Sequence, residues 1–124
     1  MAKENIFTMD TSGIKFGNGC TEEVGYEAKR FGIKKALVIT DKKIEKLGLF
    51  QTVKDSLGRY GVDFSVYNEV VTEPTDTSFK NASSFASDGD YDGFIAVGGG
   101  SVMDTTKAAN LYSTYPADFL DYVN

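Results

Sequence analysis

The chain has 124 residues, of which 41% are hydrophobic, so it can bury the core of one ordinary domain. It carries 18 acidic and 13 basic residues, a formal net charge of -5, and its basic residues are spread along the chain. This balance argues against a nucleic-acid partner, because binding to a phosphate backbone needs a cationic surface. No apolar segment approaches the roughly 20 residues of a membrane-spanning helix, so we predict no membrane partner.

Cysteine and histidine usage narrows the chemistry further. Cys20 is the single cysteine, which excludes an internal disulfide and fits a reducing compartment. The first residues lack the apolar run of a secretion signal, and we therefore predict a cytoplasmic protein. The sequence contains no histidine. Catalytic triads, most zinc and non-haem iron sites and the commonest acid–base chemistry are therefore largely excluded from this chain alone.

The apolar pattern predicts helices that alternate with strands. Residues 6–9 and 14–16 first predict a short hairpin or edge strand. The helices are indicated by apolar residues at helical spacing: Val24, Ala28 and Phe31 with Thr21 as N-cap; Val53, Leu57 and Tyr60 with Gly61 at the end; Phe79, Ala82, Phe85 and Ala86 closed by Gly89; then Val102, Met103, Ala108, Ala109 and Leu111. The unbroken apolar run at residues 36–39 predicts a strand buried on both faces, and residues 64–67 and 94–97 are predicted as the second and third strands. This order predicts an α/β, Rossmann-like fold, a parallel sheet with helices on both faces.

A run of glycines lies where such a sheet binds ligands, beyond the carboxyl end of a strand. Gly98-Gly99-Gly100-Ser101 joins the third strand to the fourth helix. Glycines let the backbone approach a ligand closely, and the helix start presents free N–H groups to an anion. Ser101 is expected to cap that helix or to donate to a phosphate oxygen. A plain tight turn needs only two glycines, so we predict a phosphate-binding turn, although it is neither a G-x-G-x-x-G nor a P-loop motif.

Asp41 follows the first strand and has two interpretations, which the sequence leaves open. Its carboxylate would accept both hydroxyls of an adenosine ribose and repel the extra phosphate of NADP, or it would cap the next helix. Lys42 and Lys43 complicate the choice of cofactor, because an ammonium group offsets that repulsion.

Two further segments have structural interpretations. The loop at residues 72–75 is predicted to be structural, with Thr75 or Thr77 capping the following helix. Asp104 and Lys107 stand at i, i+3 on the fourth helix, which predicts a surface ion pair or, for Asp104, a place in the wall of a ligand pocket.

Taken together, four motifs resemble the iron-containing (group III) alcohol dehydrogenases. They are Phe16-Gly17-x-Gly19, residues 38–42, Glu73-Pro74-Thr75 and Gly98-Gly99-Gly100-Ser101-x-x-Asp104-x-x-Lys107, and they extend over essentially the whole chain. Within the family, residues 90–97, 107–112 and 118–124 look most like the hydroxyacid-oxoacid transhydrogenase branch. The resemblance implies that residues 1–124 form an N-terminal dinucleotide-binding domain, which the family follows with a helical domain. We therefore expect a fragment of a longer protein.

The resemblance also implies roles for individual residues. It places Gly98–Ser101 on the pyrophosphate of a nicotinamide dinucleotide, with Val102 and Met103 close by, and Asp41 on the adenosine ribose. It places Glu73, where relatives often have Asn, near the adenosine side. Asp104 belongs to the same signature and is counted with the cofactor-binding residues, without a catalytic role. NAD is the expected cofactor, with NADP left open.

A metal is also implied, because in this family an aspartate and histidines of the helical domain hold a divalent ion, iron by the family's name. The expected reaction of the parent is hydride transfer between an alcohol or hydroxyacid carbon and the nicotinamide ring. The alternatives are a transhydrogenase fragment, acting on a 4-hydroxy acid and a 2-oxo acid, and a stand-alone nucleotide- or phosphate-binding module. The chain alone is expected to hold nucleotide without turnover, and self-association into a homo-oligomer is left open.

Overall fold

The computed structural model describes Gly13 and residues 15–114. The strands are β1 (Lys35–Ile39), β2 (Asp63–Tyr67) and β3 (Gly93–Ala96). A 3₁₀ turn at Cys20–Glu23 precedes the helices, which are α1 (Val24–Arg30), α2 (Lys42–Glu45), α3 (Gly48–Arg59), α4 (Asp76–Asp88) and α5 (Gly100–Thr114). The predicted hairpin at residues 6–9 and 14–16 falls mainly outside the described residues, as does the segment 118–124. Lys15 and Phe16, which are described, are not in a strand.

The three strands form a parallel sheet in the order β2-β1-β3. Ala36 of β1 pairs with Phe64 of β2 on one side and with Gly93 of β3 on the other. The central position of β1 explains its unbroken apolar sequence, since Ala36 to Ile39 are 0% exposed and must be apolar on both faces. The predicted parallel sheet is confirmed.

Helices cover both faces of this sheet, as predicted. The side chains of Ala36 and Val38 pack towards α1 and α3, in a core that also holds Ala28, Phe50, Val53, Leu57, Val62 and Val97. Those of Leu37 and Ile39 pack towards α4 and α5, with Tyr67, Val70, Ala82, Ala86, Val102 and Ala109. In the described part of the chain, no helix has the length and apolarity needed to cross a membrane.

Helices α1 and α3 approach closely at Gly25. Its N–H donates to Ser56 Oγ at 2.9 Å, and the Ser56 hydroxyl donates to the Glu22 carbonyl at 2.6 Å. A Cβ added at Gly25 would lie 2.2 Å from the Ser56 carbonyl oxygen. The contact therefore has room for glycine only.

Asp92 links two strands at the edge of the sheet where the strands begin. Its carboxylate accepts the N–H of Lys35 at 2.9 Å and that of Lys34 at 3.0 Å, which ties the approach to β3 to the start of β1. These two hydrogen bonds lower the pKa of Asp92 below its ordinary value of 3.8, and the bond from Lys35 has the larger effect.

Two predictions about helix α1 are wrong. Thr21 is not an N-cap, because it lies inside the 3₁₀ turn, which starts at Gly19 (φ 76°) with a hydrogen bond from Glu22 N–H to the Gly19 carbonyl at 3.0 Å. Phe31 is not on the packed face. The helix ends at Arg30 and leaves Phe31 72% exposed, ahead of the positive φ of Gly32.

Other predicted helix ends are confirmed. Gly61 follows α3 with φ 69°, the conformation that favours glycine at this position. Thr75 caps α4 with its hydroxyl accepting the Ser78 N–H, while Ser78 Oγ accepts the Thr75 N–H at 2.8 Å, a capping box.

Candidate functional site

The carboxyl ends of all three strands meet at Thr40, the residue after β1. Its hydroxyl donates to the Val97 carbonyl at 2.7 Å, and its N–H donates to the Tyr67 carbonyl at 2.9 Å. Its own carbonyl accepts the Val70 N–H at 3.4 Å. Thr40 is 0% exposed, so these hydrogen bonds lie in the interior. One buried residue therefore sets the relative positions of the loops that follow β1, β2 and β3.

The glycine turn leaves the sheet directly after Val97. Gly98 has φ 153°, and a Cβ there would lie 2.6 Å from Val102 Cγ2, so glycine lets the turn fold against a side chain that is 1% exposed. At Gly99 and Gly100, an added Cβ would meet no atom within 4 Å. The turn therefore packs on the core at Gly98 and is open at the next two residues, where a ligand can approach the backbone.

Helix α5 begins at this open turn. The Met103 N–H donates to the Gly99 carbonyl at 3.0 Å, which makes Gly99 the N-cap. The N–H groups of Gly100, Ser101 and Val102 precede that hydrogen bond and have no carbonyl four residues back within the helix. Together with the positive end of the helix dipole, they form an arrangement that favours an anion such as a phosphate.

Ser101 lies inside the helix rather than at its cap. Its hydroxyl donates to the carbonyl of Thr72, in the loop between β2 and α4. The predicted capping role is therefore wrong, because Gly99 holds that position, and the hydroxyl's proton is used within the protein.

The residues after Ser101 separate into core and surface. Val102 is buried with α4 and the sheet, whereas Met103 and Asp104 are exposed. The ion pairs of the described residues involve Lys15, Glu23, Glu27 and Arg30, and the predicted pair of Asp104 with Lys107 is not formed. An i, i+3 spacing brings two such side chains near each other but does not order exposed ones.

Asp41 serves as the N-cap of α2. Its Oδ1 accepts the N–H groups of Lys43 at 2.9 Å and Ile44 at 2.8 Å, so the capping interpretation is confirmed. The same residue lines a cleft of about 460 Å³ at the carboxyl edge of the sheet, together with Lys42, Lys43 and residues 68–72. Glu73 is exposed and is not among the residues that line this cleft.

Asn68 lines this cleft, and Tyr67 precedes it as the last residue of β2. Asn68 donates to Glu45 Oε1 at 2.9 Å, which links the loop after β2 to α2. Burial, and then the nearby Glu69 carboxylate, raises the pKa of Tyr67 above its ordinary value of 10. The Tyr67 phenol therefore stays neutral at physiological pH.

The groups of the described residues fit a dinucleotide and do not fit iron. The open glycine turn offers N–H donors to a pyrophosphate, and Thr72 connects it to the cleft that Asp41 lines. The described residues contain no group of three or more carboxylate or thiol side chains able to hold a metal, and the sequence has no histidine. Neither Thr40 nor the Ser101–Thr72 contact was predicted, since the partners are 57 and 29 residues apart in the chain.

The chain is similar to a known protein family and to solved structures. Residues 11–124 match the sequence profile of the iron-containing alcohol dehydrogenases. The chain is 53% identical over 119 residues to a mitochondrial hydroxyacid-oxoacid transhydrogenase of Bos taurus and 50% identical to that of Homo sapiens; in both cases the match covers 95% of this chain and 26% of the relative. It superposes on the NADH-dependent butanol dehydrogenase A of Thermotoga maritima with a TM-score of 0.87 and 31% identity, covering 95% of this chain and 30% of that one.

These comparisons correct one prediction and establish the family. The predicted cytoplasmic location is wrong, because the relatives at about 50% identity are named mitochondrial. A lone cysteine indicated only a reducing environment, which is not unique to the cytoplasm. The family match covers most of the chain, and the fold superposes on a solved structure over 95% of the chain. The chain therefore belongs to the iron-containing alcohol dehydrogenase family.

Proposed function

We propose that this chain binds the nicotinamide dinucleotide of a metal-dependent alcohol or hydroxyacid oxidoreductase. The observation that carries the proposal is the open turn at Gly99 and Gly100, which adjoins the free N–H groups at the start of α5. The pyrophosphate would lie on Gly98–Ser101 and the N–H of Val102. Met103 and Asp104, both exposed in the first turn, would border it.

The adenosine half would occupy the cleft that Asp41 lines. The carboxylate would accept the ribose hydroxyls while Oδ1 continues to cap α2. Glu73 would stand at the outer end of this half, because it follows Thr72 in the cleft wall and is exposed. The Asp41 carboxylate supports NAD over NADP as the cofactor, since it would repel the 2′-phosphate of NADP.

The bound dinucleotide supplies the hydride donor or acceptor, and the protein orients it. The described residues do not form a metal site, so we propose that the ligands of the metal lie elsewhere in the protein. The chain spans about a quarter of the length of its relatives, and we accordingly expect it to bind the cofactor without oxidising an alcohol.

Calorimetric titration of the 124-residue chain with NADH and with ADP-ribose tests the binding. We expect heat with both ligands, because both carry the pyrophosphate. Gly99→Asp should weaken binding by at least about tenfold, since it places a negative charge against the phosphates in open space. Gly48→Asp, which puts the same charge at the open start of α3, is the matched control. No heat with either ligand would refute the proposal.

The cofactor preference has its own test at Asp41. Asp41→Ser removes the carboxylate but keeps a side chain that caps a helix, whereas Asp41→Ala removes both. If the carboxylate excludes the 2′-phosphate, Asp41→Ser should raise the affinity for NADPH relative to NADH by about tenfold or more. An unchanged ratio, with the helix content intact, would show that Asp41 acts only as the cap.

A second candidate, hydroxyacid-oxoacid transhydrogenation, is favoured by the 53% identity to the Bos taurus relative. A chimera in which this chain replaces the matching segment of that relative separates the candidates. A transhydrogenase passes hydride from a 4-hydroxy acid to a 2-oxo acid with no net gain of NADH, whereas a dehydrogenase accumulates NADH from an alcohol and added NAD. A chimera that binds NADH and does neither would favour a stand-alone binding module.

The names of the relatives support a mitochondrial location for this chain. A homo-oligomer stays a prediction, and sedimentation of the purified chain tests it.

A further inference from the structure

We infer that Thr40 and Ser101 are positioning residues that hold the glycine turn, Gly98–Gly100, at its two ends. The inference rests on the proposed function, because it concerns how the turn is kept ready for a pyrophosphate. In this inference neither hydroxyl contacts the ligand. Each donates to a backbone carbonyl of another loop.

The turn needs such support because Gly99 and Gly100 make few contacts that would hold its conformation. An added Cβ at Gly99 or Gly100 would meet nothing within 4 Å, so this part of the turn is not packed against the protein. Glycine also has the largest backbone freedom to lose when a conformation is fixed. A turn that waits in the binding conformation avoids that cost at the moment of binding.

Thr40 fixes the entrance to the turn. Its hydroxyl donates at 2.7 Å to the carbonyl of Val97, the residue immediately before Gly98. Thr40 is 0% exposed and Val97 is 8% exposed, so water cannot readily replace this donor. Loss of the hydroxyl would leave a buried carbonyl without its partner, and the turn would shift to satisfy it.

Ser101 fixes the exit from the turn and connects it to the neighbouring cleft. Its hydroxyl has a single proton, which it donates to the carbonyl of Thr72. Thr72 lines the cleft proposed for adenosine. Ser101 therefore couples the wall of that cleft to the phosphate-binding turn, and the phosphates are left to the backbone N–H groups.

Thr40→Val tests the entrance, because valine keeps the shape of the side chain and removes only the hydroxyl. We expect the affinity for ADP-ribose to fall by about tenfold, which equals 1.4 kcal/mol. Thr106→Val is the matched control. Its hydroxyl is also buried and donates to a carbonyl at 2.7 Å, but that bond to Val102 lies within α5. Thr40→Ser restores a hydroxyl and should recover most of the affinity. Equal affinities of Thr40→Val and Thr106→Val would overturn the role of Thr40, as would a Thr40→Ser variant as weak as Thr40→Val.

Ser101→Ala tests the exit and distinguishes positioning from direct contact with phosphate. In the ligand-free protein, positioning predicts faster amide hydrogen exchange at Val70, by about fivefold or more, because the loop that holds its N–H against the Thr40 carbonyl loses its tie to α5. A hydroxyl that only contacts phosphate would leave that exchange unchanged. Unchanged exchange would therefore overturn the role of Ser101, and this readout does not depend on Thr40→Val folding.

The wild-type titration separates this inference from the proposed function. If wild type binds neither ADP-ribose nor NADH, both fail. If wild type binds and the hydroxyl-deficient variants bind equally well, with unchanged exchange, only the positioning role fails.

Discussion

The substitution Gly98→Ala tests how the glycine turn packs on the core. The backbone φ of Gly98, 153°, lies in a region that residues with side chains rarely adopt. The new methyl group would lie 2.6 Å from Val102 Cγ2 and 3.0 Å from Val102 Cβ. Val102 is 1% exposed and cannot move aside without disturbing α4 and the sheet. The substitution should therefore destabilise the fold in the absence of any ligand.

The loss of stability expected for Gly98→Ala is the sum of two separate costs. The unfavourable φ costs on the order of 1–3 kcal/mol. Overpacking a buried site costs about 1–3 kcal/mol more. Together they would remove roughly 2–6 kcal/mol of a total stability on the order of 5–15 kcal/mol. Gly99→Ala has neither cause, since its φ is not positive and its Cβ would meet no atom within 4 Å. It should change the free energy of unfolding by less than about 1 kcal/mol.

Urea unfolding followed by far-ultraviolet circular dichroism measures these differences, because the chain has no tryptophan to serve as a fluorescent probe. Val102→Ala provides the decisive comparison. It removes the two Cγ methyl groups, including the one at 2.6 Å, and keeps only Cβ at 3.0 Å, so in that background Gly98→Ala should cost little more than the φ contribution. The coupling between the two substitutions should be about 1–3 kcal/mol. If Gly98→Ala costs the same with and without Val102, the overlap is not the cause.

Four other substitutions have expected outcomes that denaturant unfolding measures. Thr75→Ala removes the capping box of α4 and should cost about 0.5–2 kcal/mol; no loss would mean that another group caps the helix. Asp92→Asn should make stability less dependent on pH. Because the pKa of Asp92 is lowered on folding, the stabilisation by its carboxylate is present above the unfolded pKa near 3.8 and disappears as the pH falls through the folded pKa. The curves of unfolding free energy against pH for wild type and variant should therefore converge in acid. Parallel curves would contradict this. Gly25→Ala forces a methyl group to 2.2 Å from the Ser56 carbonyl oxygen and should destabilise the fold by about 1–3 kcal/mol or more. The control Gly58→Ala places its methyl group in open space within α3 and should stabilise the fold by about 0.4–1 kcal/mol. Equal effects of the two substitutions would refute the close-contact argument.

The sheet could be predicted because burial on both faces restricts composition. The run Ala36–Ile39 is apolar throughout since β1 has a neighbour on each side and helices above and below. Helix starts and ends were predictable where one residue determines them, as at Thr75 and Gly61. At Thr21 the rule failed, because Gly19 starts a 3₁₀ turn earlier than the helical spacing suggested. The four-residue helix α2 is too short to show a period.

The candidate site was predictable in its parts and not in its connections. The glycines and Asp41 stand directly after strands, so their place at the carboxyl edge followed from the parallel sheet. The contacts of Thr40 with Val97 and of Ser101 with Thr72 join loops that are distant in sequence. No local pattern indicates such pairs, because they depend on how the strands are ordered in the sheet.

The strand order also has a consequence for the sequence of events during folding. The pairing of β1 with β3, as in Ala36 with Gly93, closes about twice as many residues as the pairing of β1 with β2, as in Lys35 with Asp63. Doubling a loop raises the entropy cost of closing it by only about 0.6 kcal/mol, yet non-local contacts of this kind form slowly. We therefore expect β1 and β2 to associate first, and β3 to dock last and bring the glycine turn with it. Nucleotide added during refolding would then act chiefly by slowing the undocking of β3.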